Sequence, residues 1–203
     1  FRGAFLPESG IQYAVEAAKI LKDEDIRFRI IGDGMIAPQV EKILDSFDSK
    51  NVEWIRQHIS NDELRIKIQE CHLSLGQLAN HPRLSRTTPF KAFEGIAMKL
   101  PYLTARNKGI LELLTENVTC LACNPADPED LARKILWVKN HPEETKTISE
   151  GGYQLFRNRL NATALAKTVQ AKLDEINERA YKEPRITYLT SIEYPSRTVA
   201  SPI

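Results

Sequence analysis

Residues 72–101 read HLSLGQLANHPRLSRTTPFKAFEGIAMKLP, and this stretch decides the fold. It begins with an apolar run at 72–75 that is typical of a buried strand, and it continues through a polar loop. The loop runs into Thr88 and Pro89, a cap residue followed by a proline at the first position of a predicted helix. A second apolar run starts at Pro101. Strand, loop, helix and strand in this order predict a right-handed crossover between two parallel strands.

The same alternation extends along most of the chain. The predicted strands occupy residues 1–5, 27–31, 51–55, 72–75, 101–104 and 118–122, with helices between them. This pattern predicts an α/β fold, with a Rossmann-like, doubly wound parallel sheet of about six strands and helices at the C-terminal end. The organisation that follows is a Rossmann-like domain at 1–160, a C-terminal helix at 161–181 and an extended tail at 182–203.

The loop and the first helical turns in the opening stretch have the chemistry of an anion site. Arg83 and Arg86 lie in the loop, Lys91 lies in the first turn, and a helix N-terminus adds free amides and a positive dipole end. Glu94 adds a carboxylate, which can accept two hydrogen bonds from a sugar diol. These residues indicate a site that binds a phosphate group followed by a ribose. The alternatives are an exposed ion pair between Lys91 and Glu94, and arginines that only keep a loop solvated.

Composition excludes several classes of function. The net charge of +1 over 203 residues provides no general attraction for nucleic acid, so none is expected as a partner. No apolar run is long enough to span a bilayer, and no signal segment is recognisable, so we expect a soluble protein. Cys120 and Cys123 fall in an apolar run without a second pair or a histidine cluster, which favours buried thiols over a metal site. Because the sequence begins with Phe1, we interpret it as part of a longer polypeptide.

An ordered series of motifs resembles the group 1, or family 4, nucleotide-sugar-dependent glycosyltransferases. Residues 88–101 resemble the family's P-x-K-x-x-E-x-x-A segment, and residues 28–34 resemble its I-G-D-G turn. Residues 109–112 resemble its G-x-x-E loop, and residues 124–135 resemble its P-x-D-P-x-x-L-A-x-x-I segment. The resemblance implies one half of a two-domain GT-B fold. Residues 1–160 would be the half that binds the sugar donor, and the helix at 161–181 would pack back toward the absent acceptor-binding half.

The resemblance also implies roles for individual residues. Glu94 would hold the ribose hydroxyls, and Lys91 and Arg86 would face the diphosphate. Beyond the resemblance, we hypothesise that Arg83 and Arg86 supply positive charge from the other side of the crevice, in place of the family's usual cations at Ala4 and Ser9. The remaining predicted contacts come from loops after neighbouring strands: the backbone amides at Gly109 and Ile110 for the sugar-phosphate end, Glu112 for orienting that loop, and Arg56 for the nucleotide base. No bound metal or other cofactor is expected.

The function implied is that of the donor-binding half of a retaining glycosyltransferase. It would move a sugar from a nucleoside-diphosphate sugar to a saccharide or lipid-linked acceptor, as in polysaccharide biosynthesis. The acceptor would be bound by the absent half, so this part alone is expected to be inactive. We expect the protein in the cytoplasm, or peripherally at the cytoplasmic face of the membrane. Two alternatives remain: a nucleotide-sugar epimerase of the same fold, and an inactive binding or assembly module. Ala4 and Ser9 suggest the latter, since many members have an arginine and a lysine there.

Overall fold

The computed structural model describes residues 1–182, which alternate between strands and helices as predicted. The strands are β1 (Phe28–Ile31), β2 (Val52–Ile55), β3 (Ser74–Leu75), β4 (Tyr102–Ala105) and β5 (Leu121–Cys123). The α-helices are α1 (Ile11–Ile20), α2 (Ala37–Leu44), α3 (Asn61–Gln69), α4 (Phe90–Ala97), α5 (Lys108–Leu111), α6 (Pro128–Asn140), α7 (Pro142–Leu155) and α8 (Ala162–Lys182). The α/β class and the C-terminal helices are confirmed.

All the strand pairs within the described residues are parallel. β1 pairs with β2, and β4 lies between β3 and β5. The described residues form five strands, whereas about six were predicted. The first predicted strand is a single bridge from Arg2 to Ile31, extended by the hydrogen bond from the Gly3 amide to the Ile31 carbonyl at 2.9 Å. The contact continues past the end of β1, since the Phe5 amide donates to the Asp33 carbonyl at 2.9 Å, but Gly3, with a φ of +135°, interrupts the regular extended backbone.

Two apolar clusters hold the helices against the strands. The larger one joins α1, α2 and α6 to β1 and to the buried residues of β3, β4 and β5. A second cluster includes Ala92 and Ile96 of α4, Tyr102 of β4 and Ile110 of α5. Since α4 and α5 carry four of the predicted site residues, Lys91, Glu94, Gly109 and Ile110, this second cluster fixes the position of those residues relative to the strands.

Side-chain caps close the N-termini of two helices, α3 and α6. The Ser60 hydroxyl accepts a hydrogen bond from the Glu63 amide at 3.2 Å at the start of α3. The Asp127 carboxylate accepts one from the Asp130 amide at 2.9 Å at the start of α6. Each cap satisfies an amide that has no partner inside its helix.

Removing the cap of α6 should destabilise the fold measurably. Asp127→Ala is expected to lower the free energy of unfolding by about 1 kcal/mol, because the Asp130 amide loses its acceptor. Urea unfolding followed by circular dichroism would measure the change. Asp127→Asn is the control, since an asparagine side chain also accepts this bond. An equal loss in both variants would contradict the capping role.

The cap predicted at Thr88 is wrong. Pro89 has an extended backbone, with φ −70° and ψ 140°, so α4 begins one residue later than predicted, at Phe90. The Thr88 hydroxyl instead donates to the Gly109 carbonyl at 3.2 Å. Thr88 therefore ties the loop before α4 to α5 rather than closing its own helix.

The chain divides into two units, Phe1–Ala164 and a second that starts at Leu165. The helix predicted at 161–181 corresponds to α8, whose exposed apolar residues recur at helical spacing: Leu165, Val169, Leu173 and Ile176. Its predicted packing against an acceptor-binding half stays a prediction. The tail predicted at 182–203 lies, beyond Lys182, outside the described residues. None of the described helices has the length and apolar character needed to cross a membrane.

Candidate functional site

The loop that follows β3 holds three other loops together at the carboxyl ends of the strands. The Leu78 amide donates to the Ser9 carbonyl at 3.1 Å, and the Leu78 carbonyl accepts from the Ala126 amide at 2.8 Å. The Ala79 carbonyl accepts from the Asn107 side-chain amide at 3.3 Å. These bonds join the loops after the first bridge, β4 and β5. In doubly wound folds, ligands bind in the crevice at this edge of the sheet.

Lys91 lies in the first turn of α4 and reaches the glycine of the first loop. Its Nζ is 3.6 Å from the centroid of the Phe1 ring and 3.3 Å from Oε1 of Gln77. A Cβ atom on Gly3 would lie 3.5 Å from this Nζ. Burial, and secondly the positive charge of Arg2, lower the pKa of Lys91 to about 7. Lys91 is thus held beside a loop glycine, and an anion bound there would favour the charged form of the lysine.

Glu94 is held by an arginine that the sequence analysis did not include in the site. Nε of Arg2 donates to Oε2 of Glu94 at 2.7 Å, and a second contact joins Nη2 to Oε1. The side chains of Arg2 and Glu94 are 29% and 24% exposed. An arginine directly before the loop glycine was the available signal. The structure therefore brings together Lys91 and Glu94, as predicted, and adds Arg2 to them.

The two arginines of the loop before α4 are exposed. Arg83 lies in a short 3-10 helix, Pro82–Ser85, and forms an ion pair with Glu8 at 2.7 Å. Arg86 follows that helix directly. Of the two, Arg83 already has a carboxylate partner, which makes Arg86 the stronger candidate for binding an anion.

Gly109 lies against the same loop, and the lack of a side chain makes this possible. A Cβ atom on Gly109 would lie 2.7 Å from the Leu84 carbonyl oxygen. Ile110 is buried, so only its backbone is a candidate for ligand contact. Glu112 is exposed at the end of α5. The structure therefore joins Gly109 and Ile110 to the loop that carries the arginines, and it leaves Glu112 on the surface.

Arg56 follows β2 and is already paired with two carboxylates. It binds Asp33 at 3.1 Å and also contacts Glu41, and its guanidinium lies 4.6 Å from the centroid of the Trp54 ring. The Trp54 indole donates to the Gly32 carbonyl at 2.8 Å. This network fixes the loop after β2 to the turn after β1, and its partners differ from those of Lys91 and Glu94.

The described residues contain no cluster of three or more histidine, cysteine, aspartate or glutamate side chains that could hold a metal ion. Cys120 and Cys123 are buried, as predicted, and burial raises the pKa of each thiol to about 12. Both thiols are therefore protonated at neutral pH.

The fold matches solved glycosyltransferase structures. The C-terminal domain of LpcC, a glycosyl transferase group 1 family protein from Francisella tularensis, aligns with a TM-score of 0.68 at 15% identity, covering 80% of this chain and 84% of that one. Alr3699/HepE from Anabaena, in complex with UDP, aligns with a TM-score of 0.70 at 16% identity, covering 86% of this chain and 48% of that one. At these identities the matches show the fold alone, which is the Rossmann-like half of a GT-B structure.

Sequence comparison identifies the family. An uncharacterized glycosyltransferase of Methanocaldococcus jannaschii, MJ1178, is 29% identical over 152 residues, which is 75% of this chain. The chain spans 41% of the length of that relative. Residues 1–141 match the family described as Glycosyl transferases group 1, and this range contains all five strands and every residue of the predicted site. The chain belongs to the group 1 glycosyltransferases.

Proposed function

We propose that this chain is the donor-binding half of a retaining glycosyltransferase that uses a nucleoside-diphosphate sugar. The observation that carries the proposal is the cluster in which Lys91 and Glu94, on successive turns of α4, meet the glycine loop of the first bridge. A cation beside a glycine loop suits a diphosphate, and a carboxylate suits the ribose hydroxyls. Alr3699/HepE from Anabaena, which has the same fold, binds UDP and UDP-glucose in its crystal structures, and this supports the proposal.

In this proposal the crevice stabilises the departing nucleoside diphosphate. Lys91 and the N-terminus of α4 face the diphosphate, where negative charge grows as the bond to the sugar breaks. Arg86, which is exposed, adds a cation from the loop. The backbone at Gly109 and Ile110 faces the sugar-phosphate end. No bound metal takes part, and no catalytic base is assigned to this chain.

The acceptor-binding half would complete the enzyme. The sugar would lie between the two halves, and the acceptor, a saccharide or a lipid-linked saccharide, would approach from the other half. We propose that α8 packs against that half through the apolar residues Leu165, Val169, Leu173 and Ile176, which lie exposed on it. The full enzyme would act in the cytoplasm or peripherally at the cytoplasmic face of the membrane.

Calorimetric titration with UDP, GDP, ADP and TDP tests donor binding. We expect one nucleotide to bind, and we expect Glu94→Ala to weaken its binding by about 1–3 kcal/mol, because hydrogen bonds to a charged acceptor are lost. Glu144→Ala is the matched control, since Glu144 is an exposed carboxylate in the first turn of α7. It should leave the affinity unchanged.

Two results would contradict the proposal. One is the absence of binding by all four nucleotides, both to this chain and to the two-domain protein in which it would form the donor half. The other is an equal loss of affinity in Glu94→Ala and Glu144→Ala. Incubation of the two-domain protein with a donor sugar alone separates transfer from epimerisation, because an epimerase converts the sugar without any acceptor.

A further inference from the structure

Arg2 and Glu94 are 92 positions apart in the sequence, and yet they form a two-point ion pair. The backbone at Arg2 is fixed by its bridge to Ile31, and the next residue, Gly3, donates to the Ile31 carbonyl. The helix at Glu94 is fixed by Ala92 and Ile96, both buried. Since both ends are anchored, the guanidinium sets the direction of the carboxylate.

The contact with Arg2 leaves each carboxylate oxygen of Glu94 able to accept a further hydrogen bond. An ionised carboxylate has about four lone-pair positions, and a two-point contact from an arginine uses one on each oxygen. One position per oxygen remains, which is what a pair of neighbouring hydroxyls requires. Glu94 is 24% exposed, so the carboxylate is not sealed beneath Arg2. A cavity of about 30 Å³ adjoins Arg2, Lys91 and Glu94, and it is large enough for a water molecule.

We propose that Arg2 is a positioning residue for the donor ribose. It holds the Glu94 carboxylate in a fixed orientation, so that the remaining lone pairs accept hydrogen bonds from the 2′- and 3′-hydroxyls. This inference rests on the proposed function and extends it to a residue outside the predicted site. Arg2 would then be the functional cation at the start of the first loop, in which the positions that are basic in many family members are occupied by Ala4 and Ser9.

Direct binding of the diphosphate by Arg2 is the competing explanation, and the two differ in what they recognise. A residue that acts through Glu94 affects only the ribose hydroxyls. A residue that contacts phosphate affects ribonucleotides and 2′-deoxyribonucleotides equally. The ratio of the two affinities therefore separates them. Loss of Arg2 also removes one cause of the lowered pKa of Lys91, but that change strengthens phosphate binding equally for both nucleotides.

The experiment measures the dissociation constants of the tightest-binding of UDP, GDP and ADP and of its 2′-deoxy counterpart. We expect the unsubstituted protein to favour the ribonucleotide by about tenfold, the size of one hydrogen bond to a charged acceptor. Arg2→Met should reduce the preference to about twofold or less, with little loss of affinity for the deoxynucleotide. Arg2→Lys keeps the charge without the two-point fork, and it should retain part of the preference. In a Glu94→Gln background, Arg2→Met should change the ratio no further.

The outcomes are distinguishable. A preserved ratio in Arg2→Met, with both nucleotides weakened equally, overturns the positioning role while nucleotide binding stands. A protein that binds the nucleotide but shows no ribose preference overturns it as well. If Arg2→Met does not fold, as judged by circular dichroism, Arg2→Lys decides, and an unchanged ratio there overturns the inference. If no nucleotide binds to the unsubstituted two-domain protein, the proposed function itself fails, and this inference fails with it.

Discussion

Replacement of Gly10 by alanine is expected to lower the free energy of unfolding by about 2–4 kcal/mol. Gly10 has a φ of +69°, in the left-handed region, and forms the start of α1. An added Cβ atom would lie 2.3 Å from the Ala79 amide nitrogen and 2.7 Å from the Leu78 carbonyl carbon. Neither backbone atom can move freely, because the loop after β3 is bonded to three other loops. Strain and overlap therefore act together.

Thermal and urea unfolding would measure the loss, with a fall in the melting temperature of roughly 6–12 °C. Gly95→Ala is the control, because Gly95 lies inside α4 and its added Cβ would meet side chains rather than backbone, with Ser74 Oγ at 3.1 Å and Tyr102 Cδ2 at 3.4 Å. Alanine favours a helix, so this change should stay within about 1 kcal/mol of zero. Similar losses at both positions would show that the tight contact at Gly10 is not the cause.

The last two strands, β4 and β5, could be predicted because each is an apolar run buried between helices. β4 is buried at all four residues and β5 at all three, so the run of apolar side chains alone identifies them. The start of the chain shows the limit of this approach. Its apolar residues Phe1 and Phe5 suggested a strand, but it forms only one bridge, to Ile31, and the Phe5 amide then bonds to Asp33 in the turn after β1. Local composition does not reveal where a strand finds a partner.

The difference between local sequence features and contacts made only in the folded chain also decides which contacts of the site could be predicted. The placement of Lys91 and Glu94 on one helix could be predicted, because their spacing is a local feature of the sequence. Arg2 could not be assigned to Glu94, since that contact depends on how the first loop lies against α4 in the folded chain. Likewise, Arg56 was predicted from its position after a strand, whereas its pairing with Asp33 and Glu41 appears only in three dimensions.

The affinity for a nucleoside-diphosphate sugar is expected to fall as the pH rises through about 7, by up to about tenfold per pH unit. In the empty site, burial and the charge of Arg2 lower the pKa of Lys91 to about 7 from a usual value of 10.5. A bound diphosphate stabilises the charged lysine and raises its pKa again. Below pH 7 the lysine is charged with or without the donor, so affinity is constant there. Above pH 7 binding must take up a proton, which costs affinity.

Titration calorimetry between pH 6 and 9 would measure this dependence, and buffers of different ionisation enthalpy would reveal the proton uptake directly. A nucleotide sugar is the suitable ligand, because both of its phosphates are diesters and stay singly charged over the range. Lys91→Arg is the matched variant, since a guanidinium stays protonated throughout, and its affinity should not vary with pH. Lys91→Met should bind weakly and equally at every pH. If Lys91→Met retains the full decline, another group is responsible for it. If the unsubstituted protein shows no decline, Lys91 is charged in the empty site despite its burial.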